Sequence, residues 1–438
     1  MSDTKGTAPA DAAVGEVQVL EGMTWTEYNI RAVVRPGDEP LANLQPHLLS
    51  IFESLDHLYS NFIPTSEVSR FNASSSTEWI EVSRETAHLV SEALRYAADS
   101  DGAFDPTLAP LIRAWHFEQE ADASDGRRTL PSEAALEELR KNVGYQHLEA
   151  RLDPPGLKKG GAGLEINLSA IAKGTIVDRI ALFLADRGYR DFMVQYGGEV
   201  VAKGQKPDGS PWSIAISRPQ PDGVGVEAVV PLRDEAMATS GNYRNFFEVD
   251  GVRYSHTIDP KTGRPVTHGL ASVTVFAPTC EQADACATIL SVLGPERGLK
   301  WATDRNLAAW MLVPDAESAD GSGFQAISTP AFESQFAQTL ERISPPAESA
   351  GDRSIWPTVL LGGGVFAIAL LGLALGTILS GRRLKGSCGG LAGMKDAQGH
   401  SICSSCTTPP EECADFRRQL ARPPVTADAP ETPTHPEE

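Results

Sequence analysis

Asp284 and Thr288 lie four residues apart, just after Thr279, a residue type that caps a helix by accepting from N–H groups of the first turn. On a helix that spacing puts a carboxylate and a hydroxyl on one face. Hard oxygen donors so placed suit Mg²⁺ bridging to phosphate oxygens; a surface aspartate beside an inward threonine has the same spacing. Lys173 points to similar chemistry. It falls in the first turn of a helix that Ser169 can cap and that stops at Gly188. A cation there opposes the helix dipole, so it is poorly placed for stability and well placed to meet a phosphate. A solvated lysine is the plain alternative. In Gly102-Ala103-Phe104-Asp105-Pro106-Thr107, Pro106 pushes Asp105 out of helical geometry and suits the first turn of a new helix, whose N–H groups could meet an anion.

The elements that must hold these residues follow from the pattern around them. Asp250-Gly251 between two aromatic-rich runs signals a hairpin. It delivers Tyr254-Ser255-His256 into Thr257-Ile258-Asp259-Pro260, where Pro260 ends a strand and Lys261-Thr262-Gly263 turns the chain. Residues 270–277 are apolar enough for a strand buried on both faces. A short strand ends at Asn167, and Ala172, Ile176, Ile180 and Leu184 share one face of the helix that follows. Upstream, residues 16–34 read as strands with a turn near Glu21-Gly22. Residues 41–62 and 85–100 are amphipathic helices, and Trp115 closes an apolar face as a core residue. A polar loop covers 119–130. Residues 191–198 form a strand into the turn Gly197-Gly198-Glu199, where Gly-Gly permits close backbone approach. Strands over 212–217 and 226–232, a helix over 295–305, a strand over 307–313 and a closing segment over 338–343 complete an α+β (mixed α/β) domain spanning 16–344.

The chain has 438 residues, with 58 acidic and 38 basic side chains and a net charge of −20. That balance argues against a nucleic-acid partner. Residues 1–15 have neither a basic nor an apolar stretch, so they read as disordered and not as a secretory signal. After a linker at 345–354, residues 355–380 contain an uncharged run from 359 to 379, about 32 Å as a helix and enough for one transmembrane helix. Trp356 stands at its entry. Arg382, Arg383 and Lys385 follow at once and place that end in the cytoplasm. Residues 381–417 carry Cys388, Cys403, Cys406 and Cys413, a CxxC with two outlying thiols that can bind iron, zinc or a cluster; disulfides are the alternative. Residues 418–438 form a disordered Pro/Glu tail.

Several segments together resemble the FAD:protein FMN transferases of the ApbE family, over residues 16–340. They are Ser66-Glu67-Val68-Ser69-Arg70-Phe71-Asn72, the Gly102–Thr107 step, Ile171-Ala172-Lys173-Gly174, Thr239-Ser240-Gly241, the loop from Ser255 to Gly263, and Ala283-Asp284 with Ala287-Thr288. The resemblance implies that Met23, Phe62, Ala103, Phe104, Asp105, Asn167, Lys173 and Ile258 contact FAD. It also implies that the Ala170 carbonyl joins Asp284 and Thr288 around Mg²⁺. Asn167 stands where the family usually has aspartate; it can accept the same hydrogen bond without the charge. The implied reaction moves FMN from FAD to a Thr or Ser hydroxyl of a target flavoprotein subunit and releases AMP. His256, whose unperturbed pKa is near neutral, is the first choice of base, with Asp259 as base or as its orienting partner. Residues 355–413 resemble the small NqrM maturation factor of the sodium-translocating NADH:quinone reductase. That implies an iron-centre role for the tail thiols, partners in a respiratory complex, contact with membrane lipid, and a single-pass protein of the inner membrane. The transferase domain is then expected on the periplasmic side and the thiols in the cytoplasm. A flavin-binding electron carrier and a catalytically inactive membrane adaptor are the competing readings.

Overall fold

Ser272–Ala277 is buried at every position, a pattern that only a strand covered on both faces can have. It sits inside an eight-stranded sheet of order Glu16–Met23, Glu27–Val34, Phe192–Tyr196, Glu199–Lys203, Glu235–Gly241, Ser272–Ala277, Ala308–Pro314 and Phe324–Ser328. Every neighbouring pair is antiparallel. The helices Gln45–Tyr59, Arg84–Asp99, Ser169–Asp186 and Cys280–Asp304 pack their apolar sides against one face. The other face is covered by strands Trp212–Ser217 and Val226–Leu232, which pair with Glu341–Arg342, and by the helix Pro330–Phe336. A smaller core gathers Leu111, Trp115, Leu136, Phe247 and Ile258 beneath the hairpin loop. This computed structural model describes residues 15–115, 130–220, 225–242, 246–315 and 323–342, all within the unit 1–347. The expected membrane helix at 355–380, the cysteine segment at 381–417, the linker, both disordered ends and nearly all of the polar loop lie outside the described residues. Among the described residues no helix is long and apolar enough to cross a membrane.

Where local chemistry decides, the sequence reading and the structure coincide. Asp250 and Gly251 both take positive φ, 52° and 75°, in the hairpin Phe246–Val249/Val252–Ser255, as a two-residue turn matching the strand twist requires. Thr279 caps Cys280–Asp304 by accepting from the Gln282 N–H. The same helix breaks at Gly294, φ 77°, so its second part begins at Pro295 as expected.

Four local expectations are corrected. The turn in the first hairpin is not at Glu21-Gly22 but at Thr24-Trp25-Thr26, because strand pairing runs on to Met23↔Glu27. Pro106 does not start a helix; that role belongs to Pro110 in Ala109–Ala114, while the Thr107 N–H is taken by Asp105 Oδ1 at 2.8 Å. Residues 163–168 form no strand. Instead Asn72 holds the Ile166 backbone from both sides, Nδ2 to its carbonyl at 2.8 Å and its N–H to Oδ1 at 2.7 Å. Finally, Ser169 is the first residue of its helix and not its cap. Its N–H donates to Asn167 Oδ1 at 2.9 Å.

Candidate active site

Two helices begin at one place because glycine lets them. A Cβ on Gly174 would fall 2.4 Å from the Cys280 carbonyl oxygen and 2.7 Å from Glu281 Cα. Only the bare backbone fits between Ser169–Asp186 and the start of Cys280–Asp304. Across that contact Asp178 accepts the Cys280 and Glu281 N–H groups, each at 2.9 Å, satisfying donors that a helix start leaves open. The Gly174 N–H donates to Asp284 Oδ2 at 3.0 Å. In a regular helix that N–H belongs to the Ala170 carbonyl. Asp284 draws on the same donor, and the Ala170 carbonyl keeps lone-pair capacity for another partner. Thr288 follows Asp284 one turn later, partly buried.

Lys173 joins this cluster to the sheet. Its Nζ binds Glu199 Oε1 and lies 3.9 Å from Asp284 Oδ1. Glu199 opens strand Glu199–Lys203 after the Gly197-Gly198 turn. Both carboxylates are almost wholly buried, and Glu199 Oε2 has no hydrogen-bond partner among the described residues. Burial pushes the Glu199 carboxyl up to about 7 against the pull of Lys173, and Asp284 adds to the rise. Burial also raises Asp284, with Lys173 and the Gly174 N–H opposing it. Burial works against the Lys173 charge too, yet the Asp284 and Glu199 carboxylates hold it above the usual lysine range. Two buried carboxylates thus face one ammonium. Their surplus negative charge, with a carboxylate, a hydroxyl and a carbonyl at hand, fits a hard divalent cation. No group of three or more His, Cys, Asp or Glu side chains gathers as a metal centre among the described residues, so any cation here relies on the oxygens of Thr288 and Ala170 as well as Asp284. Cys280 lies beside the cluster, but burial pushes its thiol well above the usual range, which removes it as a nucleophile.

The histidine loop is reached along the central strand that pairs with the start of Glu199–Lys203. Ala238 pairs with Glu199, and the Thr239 N–H donates to the Gly198 carbonyl at 3.2 Å. Asn242 lies three residues beyond, about 10 Å along an extended chain. Its Oδ1 accepts both hydroxyls that flank His256, from Ser255 at 2.7 Å and Thr257 at 2.8 Å. Its Nδ2 and N–H tie the knot to the carbonyls of Leu270 and Ala271. His256 is therefore held from both sides, partly buried. Asp259 Oδ1 accepts the Lys261 N–H at 2.9 Å, the work of a turn former. The Ile258 side chain is inside the smaller core, 3% exposed, which leaves only its backbone to meet a ligand.

The remaining expected contacts divide in two. Ala103 and Phe104 are buried, Phe104 against Tyr96. Both Asp105 oxygens are engaged, by Thr107 and by the Tyr145 N–H. Their segment borders a cleft of about 530 Å³ shared with Gly102, Arg140, Tyr145, Pro260 and Lys261. Met23 and Phe62, by contrast, are open to solvent at 70% and 56%. Asp178, Asn242 and Trp25 had no signal of their own in the sequence, and Asn72, Gly174 and Glu199 stood inside recognised motifs without a role.

Residues 24–311 match the model of the ApbE family. Over 295 residues the chain is 40% identical to the FAD:protein FMN transferase of Vibrio cholerae serotype O1, covering 67% of this chain and 86% of that protein. The structure of the flavin transferase ApbE from Vibrio cholerae superposes with a TM-score of 0.65 at 37% identity, over 73% of this chain and 99% of that one. The apo flavinyl transferase ApbE of Pseudomonas stutzeri gives 0.65 at 36% identity, over 74% and 97%.

Proposed function

The chain belongs to the ApbE family and is an FAD:protein FMN transferase, and from that premise we propose how its residues divide the work. The observation that carries the proposal is the surplus negative charge of Asp284 and Glu199 around Lys173, set where two helices begin. Asp284, Thr288 and the Ala170 carbonyl would hold Mg²⁺, which neutralises the FAD pyrophosphate and helps AMP to leave. Lys173 adds fixed positive potential beside the same phosphates, and Glu199 holds its ammonium in place. A Thr or Ser hydroxyl of the target protein attacks the phosphorus of the FMN half. The new P–O bond forms as the bond to AMP breaks, and His256 takes the hydroxyl proton. The turn hydrogen bond of Asp259 favours His256 over Asp259 as the base. Incubating the full chain with FAD, Mg²⁺ and a Thr-containing acceptor tests this: acceptor-bound FMN and free AMP are expected. Intact FAD cycling between redox states would mark an electron carrier, and neither product would mark an inactive adaptor.

The C-terminal proposals rest on sequence. Residues 355–380 cross the inner membrane once, Arg382, Arg383 and Lys385 stay in the cytoplasm, and the transferase domain works on the periplasmic side. Cys388, Cys403, Cys406 and Cys413, kept reduced, bind iron or zinc in support of the respiratory complex whose subunits receive FMN. Alkaline phosphatase fused after Ser344 should be active and fused after Cys413 inactive. The reverse pattern overturns the orientation and makes disulfides the better reading of the thiols.

A further inference from the structure

Strand alternation turns one lysine of this chain inward. In Pro155–Lys159 successive side chains take opposite faces, so Leu157 and Lys159 share the covered side while Lys158 points out and pairs with Glu149 at 3.0 Å. Lys159 is only 1% exposed. A buried ammonium is costly unless its protons find acceptors. Here they find main-chain carbonyls: Nζ donates to Ser74 O at 2.6 Å and to Asn72 O at 3.2 Å. The ammonium also stands over the Phe71 ring, 4.7 Å from its centroid, where the face of the ring attracts a cation. Burial works against the charge, and Glu165 supports it.

Those carbonyls belong to the end of the helix Glu67–Ala73 and to its C-cap, Ser74. A helix of seven residues has little stability of its own, and its last carbonyls carry the negative end of its dipole. Lys159 therefore fixes the turn from which the Asn72 side chain projects. Asn72 in its turn grips the Ile166 backbone through both N–H and carbonyl. That grip matters because residues 163–168 belong to no strand. In place of a ladder, Arg113 takes the Glu165 carboxylate at 2.7 Å, Asn72 takes Ile166, and the Pro106 carbonyl takes the Asn167 N–H. Three residues after Ile166 the helix Ser169–Asp186 begins, carrying the Ala170 carbonyl and Lys173.

We propose that Lys159 is a positioning residue of the transferase site: through Asn72 it holds the segment 165–167, and so sets where the Ala170 carbonyl and Lys173 stand. The proposal rests on the transferase reading and adds to it a residue that acts only through others. A methionine at 159 would fill the same space, but the turn at 72–74 would lose its anchor and Ile166 would lose a fixed partner.

Amide hydrogen exchange of the full, ligand-free chain gives the first readout. Lys159→Met and Asn72→Ala should each speed exchange about tenfold over residues 163–170, the scale of one lost hydrogen-bonded contact. Exchange over the strands Trp212–Ser217 and Val226–Leu232, which cover the other face of the sheet, should stay as in the wild type. FMN transfer gives the second readout. The Mg²⁺ needed for half-maximal transfer should rise about tenfold in each variant, the low end for a group that supports a metal ligand. The double variant should rise no further than the larger single effect, because both act through one chain of contacts. Lys159→Gln keeps uncharged N–H donors for the two carbonyls and should fall between wild type and Lys159→Met; it carries the test if Lys159→Met does not fold. Unchanged exchange over 163–170 overturns the proposal. So does faster exchange throughout the domain, which marks a purely structural residue, and so does an unchanged Mg²⁺ requirement or additive losses in the double variant. The exchange result needs no turnover, so a wild-type chain that transfers no FMN would fail the transferase reading alone.

Discussion

Gly174→Ala tests the contact on which the site is built. The added methyl would meet the Cys280 carbonyl oxygen at 2.4 Å, its carbon at 2.6 Å and Glu281 Cα at 2.7 Å. All three are backbone atoms, so no rotamer change relieves the clash and the two helices must part by most of an ångström. Overpacking of this kind costs about 1–3 kcal/mol. The separation also stretches the Gly174–Asp284 bond and the two bonds from Asp178, whose charge-assisted kind contributes about 1.5–3 kcal/mol each when whole. Partial loss brings the cost to about 4 kcal/mol. Alanine is the better helix former by about 1 kcal/mol, so the net is about 3 kcal/mol. With unfolding entropy of about 2.1 cal/mol/K per residue, a unit of this size should melt roughly 4 °C lower. Scanning calorimetry of the ligand-free protein reads this directly, and FMN transfer should fall further because Asp284 shifts. Gly161→Ala is the control: nothing lies within 4 Å of its added Cβ, and its Tm should hold or rise slightly. A Gly174→Ala protein that melts at or above the wild-type temperature would refute the packing argument.

Asp284→Ala should fold normally and lose transfer, with the defect complete at limiting Mg²⁺; full transfer under those conditions removes Asp284 from the metal set. Asn242→Ala should lower kcat about 10- to 100-fold, the scale of a misplaced catalytic group, while FAD affinity holds. Asn242→Asp, which keeps an oxygen for Ser255 and Thr257, should recover much of it, and equal loss in both variants would count against a positioning role. His268 is held neutral, its pKa lowered chiefly by burial, with Nε2 unpartnered among the described residues. As pH falls below about 6.5 the unfolded imidazole takes a proton before the folded one, so stability is full above that pH and lost below it, by at most ~1.4 kcal/mol per pH unit. Urea unfolding at pH 7 and pH 5 should show a smaller acid loss for His268→Asn than for wild type; identical losses would place the sensitivity elsewhere.

What the sequence showed and what it hid divide by the span of the interactions. The Asp250-Gly251 turn, the Thr279 cap and the buried strand Ser272–Ala277 are decided within a few residues, so pattern alone finds them. Residues 163–167 have the composition of a strand, but Asn72, 94 positions away, takes the Ile166 N–H and carbonyl that a strand would offer its neighbour. The Gly174–Asp284 bond spans 110 positions and the Lys173–Glu199 pair spans 26. No periodicity reports such pairs, although the motifs that hold their members were visible.

Asn167 shows how the two levels meet. It replaces the aspartate usual in the family, a change that keeps the acceptor oxygen and removes the charge. In the structure its Oδ1 accepts from the Ser169 N–H and hydroxyl, and its own N–H reaches the Pro106 carbonyl at 2.8 Å. An amide oxygen serves that Asx turn just as a carboxylate would. An aspartate would add about 0.3–1 kcal/mol through the helix dipole. The charge that opposes Lys173 does not come from position 167 at all, but from Glu199 and Asp284, both present and buried. The substitution therefore touches the local Asx turn and leaves the carboxylates around Lys173 whole. Asn167→Asp should accordingly change the stability of the fold by no more than that dipole increment, while Asp284→Ala removes the reaction.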